Sequence, residues 1–317
     1  MRAFVTATLI GPPFSPQVNP HAAAIGEQST RWAEEFGLVA SAAEANRLNR
    51  ANAADLAARA CPDADPDRLA LLTDLVTWLF TFDDRCDDDG LGADPARLSP
   101  AVAQLLDVLD LMGGAAPAEL LSTVGPTGVA LHDLCGRARQ LGHPRLLTRF
   151  ARQLRNYLLA LLWEAANRER RRVPAVSEYV QMRRHTGAVY PSFTLTDIAH
   201  GALPTDERLA HPDLSTLDAL AADLVCWCND AFSYDKERRI TADGHNLTTA
   251  IAYETGQDEK AALAETVGRF NAGLEAYVEL EATVLAGDDP DVARFAAARR
   301  CWIRGTYDWS MGASRYH

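Results

Sequence analysis

Asn229, Ser233 and Glu237 recur every four residues in the stretch Asn229-Asp230-Ala231-Phe232-Ser233-Tyr234-Asp235-Lys236-Glu237. On an α-helix four residues turn about 400°, so the three side chains project from one face, stacked turn over turn. An amide oxygen, a hydroxyl and a carboxylate in one column form a set of hard oxygen donors, the kind Mg²⁺ takes. Ala222, Val225 and Cys226 continue that face upstream and are apolar. The column therefore extends a buried face. A solvated polar face with a chance spacing is the plain alternative, and this stretch alone leaves both open.

A second cluster shifts the balance. Phe82-Asp83-Asp84-Arg85-Cys86-Asp87-Asp88-Asp89-Gly90 closes the apolar run from Leu69 to Phe80. In helical register Asp83 and Asp87 share a face with Leu72, Val76, Leu79 and Phe80. Gly90 marks a helix stop, and helix C-termini favour cations over anions. Like charges at i,i+4 also repel, and each effect costs a few tenths to about 1 kcal/mol. A bound cation reverses the sign of every one of these terms. The competing account is a solvated acidic loop in which Asp84, Asp88 and Asp89 do no more than Asp83 and Asp87.

Both clusters need long helices to hold them, and the rest of the chain supplies these. Asp65 is placed to cap the helix that ends in the aspartates, with Pro66 at its first position. Residues 1–20 carry four prolines and read as an extended arm. Helices are expected over about 21–36, 41–59, 101–112, 127–141 and from Pro144 to about Arg170. A helix starting at Pro174 is interrupted at His185-Thr186-Gly187 and resumes at Pro191. Further helices fall at about 213–238, Asn246–Tyr253, 257–286 and 289–311. The charged run Arg168-Glu-Arg-Arg-Arg172 reads chiefly as a solvated helix end, with partial screening of a substrate entrance as the lesser alternative. No segment alternates with period two. The expectation is an all-α, single-domain bundle of about ten to twelve helices around a central cavity, spanning 1–317.

Composition sets limits. The chain has 317 residues, 48% hydrophobic and 23% charged, with net charge −12. That suits a globular protein with a sizeable core and disfavours nucleic acid as a partner. An acidic protein that takes an anionic substrate needs intermediary cations. Six cysteines at scattered positions show no zinc spacing and read as reduced. Neither a signal peptide nor a membrane span is expected, which points to a cytoplasmic protein.

Together, Asp83-Asp84-x-x-Asp87 and Asn229-Asp230-x-x-Ser233-x-x-Lys236-Glu237 resemble the two metal-binding motifs of class I terpene synthases, in particular the bacterial terpene cyclases. Their order and separation fit that family, as do Asn19-Pro20, Trp32 and Gly37-Leu38 near the start. The resemblance covers essentially the whole chain and implies the isoprenoid-synthase fold. It implies three Mg²⁺ held by Asp83, Asp87, Asn229, Ser233 and Glu237, with Lys236 touching the substrate diphosphate. Arg183 lies 46 residues before Asn229, at the place of the family's diphosphate sensor. Thr186 and Gly187 fall at its linker and effector, although the linker is more often Asp. Arg315-Tyr316 resembles the C-terminal pair that grips the diphosphate, with His317 ending the chain sooner than is usual. Phe80 and Trp309 are the expected cation-facing aromatics. The implied reaction is ionisation of a linear prenyl diphosphate, farnesyl diphosphate first and geranyl or geranylgeranyl diphosphate as alternatives, to a cyclic hydrocarbon or alcohol. A homodimer stays open. A chain-elongating prenyltransferase would carry two Asp-rich motifs. A catalytically inactive helical binding protein would have lost a motif residue, and none is missing.

Overall fold

The computed structural model describes residues 1–87, 89–201, 204–240 and 244–312. Among them there are sixteen α-helices, one 3-10 turn at Leu91–Ala93, and no strand. The helices are α1 (Arg2–Thr8), α2 (Ala22–Glu35), α3 (Ala42–Ala51), α4 (Ala53–Ala60), α5 (Pro66–Asp87), α6 (Pro95–Asp110), α7 (Ala118–Thr123) and α8 (Gly125–Leu141). They continue as α9 (Pro144–Arg170), α10 (Val176–Thr186), α11 (Val189–His200), α12 (Asp206–Ala210), α13 (Pro212–Ile240), α14 (Leu247–Thr255), α15 (Glu259–Val284) and α16 (Pro290–Gly312). The all-α architecture is as expected. The larger number of segments comes from short pieces such as α7 and α12, and from the division of 41–59 at Asn52. That residue adopts φ +50° and caps α4 through its side chain.

The N-terminal arm needs correcting. Arg2–Thr8 is helical, and the Arg2 guanidinium donates to the carbonyls of Ser310 and Met311 at the end of α16. All four prolines lie beyond Ile10, so none interrupts this helix. Asn19 is buried and donates to the carbonyls of Cys61 and Ala64, which ties the arm to the end of α4.

α5 is the central rod. It is buried from Leu69 through Leu79, which is why its sequence is mostly apolar there. Asp65 caps it by accepting from the Arg68 amide, as its sequence predicts. Around it pack α2, α4, α8 and α11, while α13 lies against α15, α16 and α10. One hydrophobic cluster runs through most of these helices, and a smaller one joins α10, α14 and α15. No disulfide forms among the described residues, where all six cysteines are free. No described helix is long and apolar enough to cross a membrane.

Candidate active site

The last turns of α5, the second half of α13, the α10–α11 junction, α9 and α16 enclose a cavity of about 200 Å³. Its mouth is polar. Asp83, Asp84 and Asp87 come from α5, Glu164 and Arg168 from α9, and Asn229, Ser233, Lys236 and Glu237 from α13. Its depth is apolar, walled by Val76, Leu79, Phe80, Val225, Trp302 and Trp309. The two clusters singled out in the sequence thus meet across one opening.

The α13 lobe is tightly built. Asp230 is fully buried and accepts from Arg183 Nε at 2.9 Å, from the Tyr179 hydroxyl at 2.7 Å and from the Leu247 amide at 3.1 Å. Arg183 also donates through Nη2 to Asn229 Oδ1 at 2.9 Å. Burial opposes the Arg183 charge, but the Asp230 carboxylate and its neighbours hold it firmly protonated. Asn246 caps α14 and donates from Nδ2 to the Asp230 carbonyl and to Glu237 Oε2. Burial, reinforced by the Asp230 charge, pushes the Glu237 carboxyl up to about 7. A cation beside it would pull that value down.

The residues fit a divalent metal. Among the described residues, Ser233 Oγ is buried and makes no hydrogen bond of normal geometry, although it lies near enough to Glu237 to favour that carboxylate's charge. A hydroxyl so placed inside a column of oxygen donors is one that a hard cation would satisfy. No group of three or more His, Cys, Asp or Glu converges into a ready metal cage among the described residues. Mg²⁺ typically takes one or two carboxylates and completes its shell with water and substrate phosphate, so two facing lobes suffice.

The α5 lobe is held from outside. Asp87 accepts from Arg168 Nη2 at 2.6 Å, and Arg168 Nη1 reaches the Gly92 carbonyl at 3.3 Å. Arg168 is only 14% exposed, which corrects the reading of it as part of a solvated helix end. It lies in the cavity wall, clamping the aspartate helix to the turn that follows. Gly90, at φ +75°, lets the chain turn into that segment.

The junction of α10 and α11 forms where the sequence places a helix break, with bounds shifted by two residues. α10 begins at Val176 rather than Pro174, and α11 at Val189 rather than Pro191. Ala188 takes φ +51° between them. A Cβ on Gly187 would meet the Arg183 carbonyl and Cys226 Sγ at 3.0 Å each, so no larger residue fits without displacing α13. Pro191 has no N–H, and the Gly187 carbonyl therefore loses the donor a continuous helix would offer it. Thr186 and Gly187 both line the cavity. Thr186 Oγ1 makes no hydrogen bond among the described residues, so it does not link to Arg183 through its side chain. Arg184 turns away and grips Asp223 through two bonds of 2.7 Å.

Phe80 and Trp309 stack on each other, with centroids 5.9 Å apart and planes 20° from parallel. Both line the cavity, and Trp309 Nε1 is anchored on the Ala51 carbonyl at 3.0 Å. Arg315, Tyr316 and Asp88 lie outside the described residues. Sequence reasoning assigned no role to Asp230, Glu164, His245, Trp302 or Thr306. Trp302 and Thr306 stand at helical spacing with Trp309, a signal that was available. The pairing of Asp230 with Arg183 joins elements far apart in the chain and left no local trace.

Comparison with known proteins agrees with this geometry. Residues 74–275 match the sequence model of "Terpene synthase family 2, C-terminal metal binding". The chain is 35% identical over 311 residues to the (-)-delta-cadinene synthase of Streptomyces clavuligerus, covering 94% of this chain and 91% of that protein. It is 30% identical over 305 residues to the 4-epi-cubebol synthase ((2E,6E)-farnesyl diphosphate cyclizing) of Streptosporangium roseum, covering 96% and 90%. Its fold is similar to the crystal structure of the SVS_A2 protein from ancestral sequence reconstruction, with a TM-score of 0.87 at 26% identity over 96% of this chain and 89% of that one.

Proposed function

The chain belongs to the terpene synthases, family 2, and from that premise we propose that it cyclises farnesyl diphosphate, using Mg²⁺, with residues 1–317 acting as one domain. As a member of a metal-binding family of carbon–oxygen lyases, it depends on a divalent metal. The observation that supports the reading best is the pairing of two oxygen-bearing lobes at the mouth of one apolar cavity.

Asp83 with Asp87, and Asn229 with Ser233 and Glu237, would hold the metal, which we take as three ions. A metal bound there would neutralise the substrate diphosphate and polarise its oxygens. Arg183 and Lys236 donate charge-assisted hydrogen bonds to the departing diphosphate, stabilising charge as the carbon–oxygen bond breaks. Arg315 and Tyr316, in this reading, add to that grip. Thr186 connects the sensing arginine to Gly187 through the main chain alone, and in this reading the dipole of the Gly187 carbonyl faces the allylic carbon. Deeper in, the π faces of Phe80 and Trp309 attract the migrating cation. The apolar walls keep bulk water out, so that cyclisation outruns quenching.

Incubation with farnesyl diphosphate and Mg²⁺, followed by gas chromatography–mass spectrometry, tests the proposal. A cyclic sesquiterpene is expected, and chelation by EDTA removes it. Product from geranyl or geranylgeranyl diphosphate alone would overturn the substrate assignment. No product from any of the three would make the chain an inactive binding protein.

A further inference from the structure

Thr186, on α10, and Thr306, on α16, stand out against the other threonines of the chain. Thr30, Thr81, Thr148, Thr194, Thr196, Thr255 and Thr266 lie inside helices and donate to the carbonyl four residues earlier. That bond is available to any helical threonine. The hydroxyls of Thr186 and Thr306 are buried and make no hydrogen bond among the described residues. The two residues are 6% and 3% exposed, and both line the cavity. Thr73 is a third unpaired case, but it does not line the cavity.

A buried hydroxyl with no partner is destabilising, and native proteins usually answer that cost with an ordered water or with function. A water needs two to four polar partners and room for about one probe sphere. The cavity has room. Ser192, on α11, supplies a further partner from the same lining, because its hydroxyl donates to the Ala188 carbonyl and keeps acceptor lone pairs. Three hydroxyls from three elements thus share the cavity lining with the apolar side chains of Val76, Leu79, Phe80, Val225, Trp302 and Trp309.

We propose that these hydroxyls hold water inside the cavity and that this water ends the reaction, making the main product a cyclic terpene alcohol. The inference rests on the terpene-cyclase reading and narrows it to one product class. Similarity does not decide the class, since one relative is named for cadinene and another for cubebol. In the quenching step a lone pair of the water oxygen forms a carbon–oxygen bond to the terminal cation. The oxonium then loses a proton to the released diphosphate, and no oxidant or reductant is required.

Turnover of farnesyl diphosphate in water enriched in the heavy oxygen isotope tests this directly. The main product should be an alcohol whose molecular ion moves up by two mass units. A hydrocarbon as main product overturns the inference and leaves the cyclase reading standing, as does an alcohol without label. Failure to make any terpene overturns both. Thr306→Val, near-isosteric and losing no protein hydrogen bond, should lower the alcohol-to-hydrocarbon ratio about tenfold, whereas Thr306→Ser should keep it. Thr186→Val reads the same ratio from α10 if the first variant folds poorly. An unchanged ratio in the valine variants would remove these hydroxyls from the quenching step.

Discussion

Asp83 and Asp87 stand on the last turns of a helix near solvent, with Asp87 38% exposed and paired to Arg168. Asn229, Ser233 and Glu237 stand on a helix whose neighbouring residue Asp230 is fully buried, bound at once to α10 and to the start of α14. The two lobes offer similar oxygen donors to one cavity, yet one is attached at the rim and the other is continuous with the core. Breaking the partly exposed Asp87–Arg168 pair costs little, on the order of 0–1 kcal/mol. Breaking a buried pair by removing one partner costs about 3–5 kcal/mol, because the other charge is left uncompensated. Substitutions at the rim should therefore read out as function alone, and those in the core lobe as function and stability together.

Asp230→Ala should break this asymmetry most severely. It strands Arg183 and removes the acceptor of Tyr179, so unfolding free energy in urea should fall by about 3–5 kcal/mol. A loss under 1 kcal/mol would mean that the network does not hold the lobe. Next in size are the metal-facing residues. Asp83→Ala, or Asn229→Ala combined with Ser233→Ala, should reduce turnover by about 10²–10³-fold or more. Asp83→Ala should do so at near-parental stability, since it also relieves like-charge repulsion on α5. Near-parental product yield from either variant would remove the metal assignment.

Arg183 and Arg184 form a matched pair for the third test. Each guanidinium is bound to a buried carboxylate, of Asp230 and Asp223, so alanine at either should destabilise the protein. Only Arg183 lines the cavity. Compared at equal folded concentration, Arg183→Ala should lose about 1.5–3 kcal/mol of transition-state stabilisation in kcat/KM. Arg184→Ala should remain within a few-fold of the parent. The reverse order would place the diphosphate contact on Arg184.

What could be read from the sequence was what repeats locally. The oxygen column of α13 and the aspartates of α5 follow from helical spacing, and Gly187 followed by Pro191 marks the break. Helix lengths were legible where an apolar stripe was long, as in α9. The arm was misread because proline density was averaged over twenty residues, while Arg2–Thr8 precedes every proline. Arg168 was misread because a run of arginines carries no sign of which one turns inward. Asp87, its partner, lies on another helix. The second layer, Asp230 with Tyr179 and Asn246, was illegible for the same reason. Its bonds join residues up to 51 apart in the chain, and nothing periodic announces such a contact.

The smallest expected effect lies deeper in, away from both lobes. Phe80 is on the rim helix α5 and Trp309 on α16, and their stacking means that neither face acts alone. If they stabilise cationic intermediates, Phe80→Leu and Trp309→Leu each remove a π face worth about 0.5–2 kcal/mol. A difference of about 1.4 kcal/mol changes partitioning tenfold, enough to release acyclic or monocyclic products early. If they only pack, stability falls and the product distribution stays as it was. Because the rings touch, the double variant should depart from the sum of the singles by about 0.5 kcal/mol or more in partitioning. Gas chromatography of all four proteins at matched folded concentration separates these cases. Identical distributions with lower yield would make the stacked pair ordinary core. A shift in Trp309→Leu alone would leave Phe80 as support for a single cation-facing ring.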